Sequence, residues 1–441
     1  MTARWLSLAG LIGVGLLLLL ALGAAALPWI MPAEDAAGRR FAAIGIFVAS
    51  YLALAIGKVP GLSIDRAGVA LVGACLMVAA GVMSLEDAYR AVDLGTVTLL
   101  LGMMIIVANL RISGFFALVN GWVARHVHGP LLLLGAIVVV SGVFSAFLVN
   151  DAICLVMAPL VLELALGLRR NPVPYLLAVA MASNVGSTAT ITGNPQNMLI
   201  GSFSQIPYPA FAEALAPVAV LGLVLTFALL ALAHRKDLHG ATFQARAPRL
   251  RVHRILVLRS LLATAAVVAL FFAGQPPAKA AIVIGALLLL TRRVKSSRVY
   301  AEIDWSLLLM FTGLFIIVAG GQRELLTPSA IQGVERLHLE VAPVLTVVTA
   351  VLSNVVSNVP AVLLLKPFVT ALPDHDRSWL IVAMASTLAG NFTILGSIAN
   401  LIVIEKAARR GVVIGFWDYF RVGAPLTVAT LVVGTLWLMW R

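Results

Sequence analysis

The chain is 441 residues long, 61% hydrophobic and only 11% charged, with a mean hydropathy of +1.04; soluble domains carry about 25% charged residues, so this is membrane composition. The net charge of +12 would suit a nucleic-acid binder, but the Lys and Arg residues sit in short connections between apolar runs, where cytoplasmic loops collect them, and no nucleic-acid partner is expected. Cys75 and Cys154 lie inside apolar runs and no HExxH occurs, which leaves no disulfide framework, no Cys-rich metal site and no expected cofactor.

A crossing takes about 20 apolar residues. The first run, Trp5 to Met31, is longer than the roughly 15 residues of the longest signal-peptide cores and is expected to stay as a span. Spans follow at Phe41 to Gly57, Ala67 to Met83 and Leu94 to Ile112. Pro130 to Leu168 is too long for one crossing, is interrupted at Val149-Asn150-Asp151 and ends in Arg169-Arg170, which predicts a re-entrant hairpin. Pro172 to Phe203 carries SNVGSTATITGNPQN, where Gly186, Gly193 and Pro195 oppose a continuous helix and predict a break. Spans are then expected at Ala212 to Ala233, Ile255 to Ala273, Ala278 to Thr291 and Asp304 to Gly321. A second hairpin is expected over Val341 to Ala371, a second broken helix over Trp379 to Ile404 with STLAGNFTILGSIAN, and a last span over Val422 to Trp440. The fold class is thus an all-α polytopic membrane protein with about eleven transmembrane helices and two re-entrant helical hairpins. Basic clusters at Arg169-Arg170, Arg235 to Arg254, Arg292 to Arg298 and Lys406 to Arg421 all fall on the side of the N-terminus, which places that terminus in the cytoplasm and the C-terminus outside.

Three blocks repeat internally. Asp93 to Ala108 matches Asp304 to Ala319, sharing Gly102/Gly313 and the run IIVA; Ser145, Asn150, Leu155 and Pro159 match Ser353, Asn358, Leu363 and Pro367; Leu177 to Ile200 matches Leu380 to Val403. An odd number of crossings separates the copies, so the halves are inverted, the architecture of secondary transporters whose sites form at discontinuous helices. The domains expected are an extra N-terminal span (1–40), repeat 1 (41–234, with hairpin 130–168 and broken helix 172–203), a basic linker (235–254) and repeat 2 (255–441, with hairpin 341–371 and broken helix 379–404).

Irregular backbone survives at membrane depth only where it is buried in protein or faces a cavity, so the four breaks point to one polar site. Asn150 and Asp151 are expected to cap the returning limb of the first hairpin, and Ser357 and Asn358 that of the second, with Asn194 capping the second half of the first broken helix. The candidate binding residues are Asn150, Ser187, Thr188, Thr190, Asn194, Asn197, Ser357, Asn358, Asn391, Thr393 and Ser397. Asp151 is the one acid expected near mid-bilayer and leads for ion coupling, with Asn150 and Asn358 beside it. Lys366 is free to snorkel outward, and Cys154 reads as a small buried hydrophobe rather than an arsenic ligand.

FLVNDA, SNVGSTATITGNPQN, SNVVSNVPAVLLL and STLAGNFTILGSIANLIVIEKA resemble the arsenite efflux pump and sodium/proton antiporter group of the ion transporter superfamily, with silicon efflux transporters the nearest type. The resemblance implies a fixed scaffold of outer spans, a mobile unit of hairpins and broken helices, elevator-like alternating access and coupling at Asn150 and Asp151. The divalent-anion/sodium symporters of that superfamily carry Ser-Asn-Thr at both tips, a pattern absent here. The expected function is proton-coupled efflux of small oxyacids such as arsenite or silicic acid across the inner (plasma) membrane, with sodium/proton antiport or sodium-coupled anion symport as alternatives. An intramembrane enzyme is not expected, since no Ser/His or Asp pair faces one site. A homodimer and an ATPase partner are left open.

Overall fold

The computed structural model describes residues 36–56, 64–238, 252–291, 293–325, 334 and 336–441. The expected first span and most of the basic linker lie outside the described residues. Every regular element among the described residues is helical, and eight helices are long and apolar enough to cross a membrane.

The helices run in the same order twice. Ala36–Ile56, Arg66–Ala79 and Leu94–Ser113 lead to the hairpin limbs Pro130–Phe147 and Asn150–Gly167, the half-helices Val173–Ser187 and Pro195–Ser204, and the long helix Tyr208–Ala233. Arg254–Phe272, Pro277–Leu289 and Trp305–Leu325 lead likewise to Ala342–Val356 and Asn358–Val369, His375–Ala389 and Ile398–Ala408, and Phe416–Trp440. The second helix of each half is shorter than its apolar run, at 14 and 13 residues. At 1.5 Å per residue each covers about 20 Å, less than the hydrocarbon thickness. The helix Phe115–His126 and the matched short helices Leu85–Ala91 and Ser296–Tyr300 fall in segments taken as loops from the sequence.

The halves exchange these short helices. Arg66–Ala79 packs along Trp305–Leu325, and Pro277–Leu289 along Leu94–Ser113. Both contacts close over a glycine: a Cβ on Gly102 would lie 2.5 Å from the Ala281 carbonyl carbon, and one on Gly313 would lie 2.5 Å from that of Ala70. Gly102 and Gly313 are repeat equivalents, as are Ala70 and Ala281, so one backbone-to-backbone approach is made twice.

The hairpins turn back as expected. The Tyr175 hydroxyl, just after the first hairpin, donates to the Pro130 carbonyl at its start (3.3 Å). From there the first limb runs parallel to Val173–Ser187, tightly enough that a Cβ on Gly186 would sit 2.1 Å from the Gly142 oxygen. Hairpins, broken helices and the two long helices pack into one bundle, while the first three helices of each half form another.

The tips correct one expectation. The first returning limb has its N-cap at Val149, one residue before Asn150, the second has it at Ser357 as expected, and neither limb is capped by a side chain. Both N-cap residues adopt positive φ (30° and 77°), at matched positions of the two halves. A β-branched residue in that region is strained, which is affordable only where the surroundings fix it. Asn150 stands inside the limb as its first helical residue and spends its amide on Asn184 of the first broken helix instead.

Candidate functional site

Backbone carbonyls fix which way the side-chain amides of Asn400 and Asn197 face. Asn197 Nδ2 donates to the Ser187 and Thr190 carbonyls (3.2 and 3.0 Å), and Asn400 Nδ2 donates to those of Gly390 and Thr393 (2.7 and 3.2 Å). The four carbonyls are freed by the breaks and are repeat equivalents. Each break is thus closed by an asparagine from its own second half-helix, which answers the cost of buried unpaired backbone. Asn194 Oδ1 accepts from Asn197 N (2.8 Å) and Ser397 Oγ from Ala399 N (3.2 Å), so both second half-helices carry side-chain caps.

The two halves are then cross-linked by side chains. With Asn400 Nδ2 committed to carbonyls, its Oδ1 faces Asn184, whose Nδ2 donates to Asn400 Oδ1 (3.0 Å) and Asn391 Oδ1 (2.9 Å). Asn184 Oδ1 must then accept, and it does so from Asn150 Nδ2 (3.0 Å) and Ser397 Oγ (3.1 Å). Thr387, the repeat equivalent of Asn184, receives Asn194 Nδ2 (3.1 Å) and Gln196 Nε2 (3.2 Å). The relay ends at the first tip. Asn150 is 4% exposed and its Oδ1 has no partner; Asn358 Oδ1, its equivalent at the second tip, has none either. Two further matched pairs of hydroxyls on the first limbs, Ser141/Thr349 and Ser145/Ser353, are buried without a hydrogen bond.

Both tip asparagines border a central cavity of about 30 Å³, shared with Asp151, Gln196, Ser357 and Ser397. Pro195 and Ile398 also line it, so four helix N-termini meet around one space. Each supplies roughly half a positive charge from its dipole, which offsets an ionised Asp151. A second cavity of about 80 Å³ lies on the other side of Asp151, between Leu94–Ser113, Asn150–Gly167 and Trp305–Leu325, with Arg111, Glu302 and Asp304 around it.

Of the residues singled out from sequence, Asn150, Asp151, Ser357, Asn358 and Ser397 line the central cavity, and Ser187, Asn194, Asn197 and Asn391 stand in the supporting network. The side chains of Thr188 and Thr190 are turned elsewhere: Thr188 bonds the Asn184 carbonyl on its own helix, and Thr190 that of Ala146 on the first limb. Thr393 contributes its carbonyl to Asn400. Lys366 lies over the Phe203 ring, 3.8 Å from its centroid, and Cys154 is buried against the Val179 carbonyl. Sequence reasoning passed over Asn184, Gln196, Thr387 and Asn400. Asn184 and Thr387 occupy the same place in the aligned repeats, and that pairing of two buried polar residues was the available signal.

The profile described as "Citrate transporter" matches residues 51–389. The chain belongs to the citrate transporter family. This family of membrane transporters falls within the superfamily to which the motifs point. An uncharacterised transporter of Mycobacterium tuberculosis (strain CDC 1551 / Oshkosh) is 30% identical, over 90% of this chain and 98% of the relative. The silicon efflux transporter LSI3 of Oryza sativa subsp. japonica is 29% identical, over 89% of this chain and 95% of that protein. Among solved structures, the YdaH transporter of Alcanivorax borkumensis is similar with a TM-score of 0.56 at 15% identity, over 91% of this chain and 98% of that one, a likeness of fold alone. In this citrate transporter family member the matched region holds both tips, the first broken helix and the first half of the second.

Proposed function

We propose that this secondary transporter exports small neutral oxyacids, silicic acid or arsenite, from the cytoplasm across the inner (plasma) membrane, driven by protons entering through Asp151. The observation that carries the reading is the pair of unpartnered acceptors, Asn150 Oδ1 and Asn358 Oδ1, beside Asp151 in one small cavity. A polyhydroxy acid that is uncharged at neutral pH brings O–H donors, which is what those oxygens lack. Citrate at neutral pH brings acceptors and negative charge toward a carboxylate, and a cavity of about 30 Å³ is on the scale of one or two waters rather than a tricarboxylate. The 29% identity to a silicon efflux transporter points the same way. In this reading Asp151 alternates between a proton and the solute, and the bundle of hairpins and broken helices moves as an elevator against the other bundle.

Sodium coupling is the second reading, and the matched unpartnered oxygens of Ser145/Ser353 and Asn150/Asn358 favour it, since a hard cation takes oxygen ligands of this kind. Everted vesicles decide between the two. An imposed proton gradient is expected to drive silicic acid or arsenite uptake into them, and Asp151→Asn is expected to abolish that uptake while the protein stays monodisperse. Undiminished gradient-driven flux in Asp151→Asn removes the coupling role, and flux that follows sodium at constant pH replaces the proton with sodium.

A further inference from the structure

Leu307 belongs to none of the polar networks, yet it and Asp151 are the two residues that line both the central cavity and the 80 Å³ cavity beside it. The second cavity is rimmed by Asp304, which is exposed, and by the partly exposed ion pair of Arg111 with Glu302 (2.5 Å). We propose that Leu307 is the apolar gate between this vestibule and the central site, the plug that a solute must displace to enter from the basic face of the molecule. The inference rests on the central cavity being the solute site, and its test separates the two claims.

Three features support the assignment. Leu307 is 8% exposed and sits in the first turn of Trp305–Leu325, where its N–H donates to the capping carboxylate of Asp304 (3.0 Å), so its place at the cavity floor is held by a rim residue. The repeat equivalents Asp93 and Thr96 make the same cap in the first half (3.0 Å), but there the gate position is a threonine. Thr96 borders a cavity of about 400 Å³ on the opposite side, 1% exposed and with its hydroxyl unpartnered. That outer cavity has no lining residue in common with the central one. Asp93 also holds Ser202 of the first broken helix (2.5 Å), whereas Asp304 makes no such bond to the second broken helix among the described residues. The opposite side is therefore latched shut by polar contact, and the basic side is closed by one leucine and one carboxylate. Apolar constrictions of this kind exclude water and small polar solutes without forming any bond that must be broken.

The test reads access rather than transport. Val359→Cys places a thiol in the central cavity, in a chain with Cys75→Ser and Cys154→Ala, and a membrane-impermeant maleimide is added to inside-out or right-side-out vesicles. Labelling is expected to be slow with Leu307 in place. Leu307→Thr, which copies the equivalent position of the other half, is expected to raise labelling from the basic face about tenfold, the factor given by 1.4 kcal/mol of lost closure. Leu307→Met, which keeps the volume, is expected to restore slow labelling. Equal rates with and without Leu307→Thr, or a rise from the opposite face, overturn the gate. Should Leu307→Thr fail to give monodisperse protein, Leu307→Val carries the same comparison. Silicic acid added to Leu307→Thr vesicles is expected to slow the labelling; a rise without that protection leaves the gate standing and counts against the solute reading.

Discussion

Asn184 and Asn358 are both polar residues near the centre of the fold, and their partners give them opposite roles. Asn184 satisfies four side chains at once, so Asn184→Leu strands Asn150 Nδ2, Asn391 Oδ1 and Asn400 Oδ1 among buried residues. At about 1–3 kcal/mol per unpaired buried group, the expected loss is several kcal/mol, read as a large fall in thermal midpoint in detergent. Asn358 makes no side-chain hydrogen bond among the described residues, its Oδ1 is buried without a partner, and the residue borders the cavity. Asn358→Leu is therefore expected to keep the unfolding free energy within about 0.5 kcal/mol of the parent, as for changes that break no contact, while solute-driven flux falls at least tenfold. A stable Asn184→Leu, or an Asn358→Leu that transports normally, contradicts the division between support and binding.

At the scale of elements, the glycines that let short helices meet long ones explain why the exchange between halves is possible. Gly102→Ala and Gly313→Ala each drive a Cβ into the backbone of the facing helix, which no rotamer change relieves. Each is expected to cost about 1–3 kcal/mol, by overpacking, and the two costs should be similar because the contact is the same. Gly121→Ala, with nothing within 4 Å of its added Cβ, is expected to be neutral or slightly stabilising. Thermal unfolding of the three variants checks the comparison. The breaks themselves were legible in the sequence: Gly193 ends the interruption, and Asn194 and Pro195 start the second half-helix as its cap and first residue, as the bond of Asn194 to Asn197 shows. The tips were legible as interruptions, but their caps were not. Whether Asn150 bonds its own helix or Asn184 depends on a helix 34 residues away in sequence, which local spacing does not encode.

For the whole molecule, the two bundles meet on one side through the Asp93 and Ser202 hydrogen bond and are held apart on the other by the vestibule. If transport needs one bundle to slide on the other, a disulfide between Asp93→Cys and Ser202→Cys is expected to stop flux, with recovery on reduction. Flux at the uncrosslinked rate in the oxidised protein rules out that motion. Helix exchange ties the halves of the other bundle together, since each half's short helix packs along the other half's long one.

The sequence by itself determined that the chain is a membrane protein, that its polar residues gather at four breaks, and that two copies of one unit build it, because hydropathy, helix-breaking residues and repeat spacing are properties of the chain read in order. The tertiary structure alone decided which amides are spent on support and which face the cavity. It also decided that Leu307 and Asp151 border both the central cavity and the one beside it. Both depend on which helices lie side by side, and a residue's hydrogen-bond partners and the cavity it borders are set by neighbours far away in the chain.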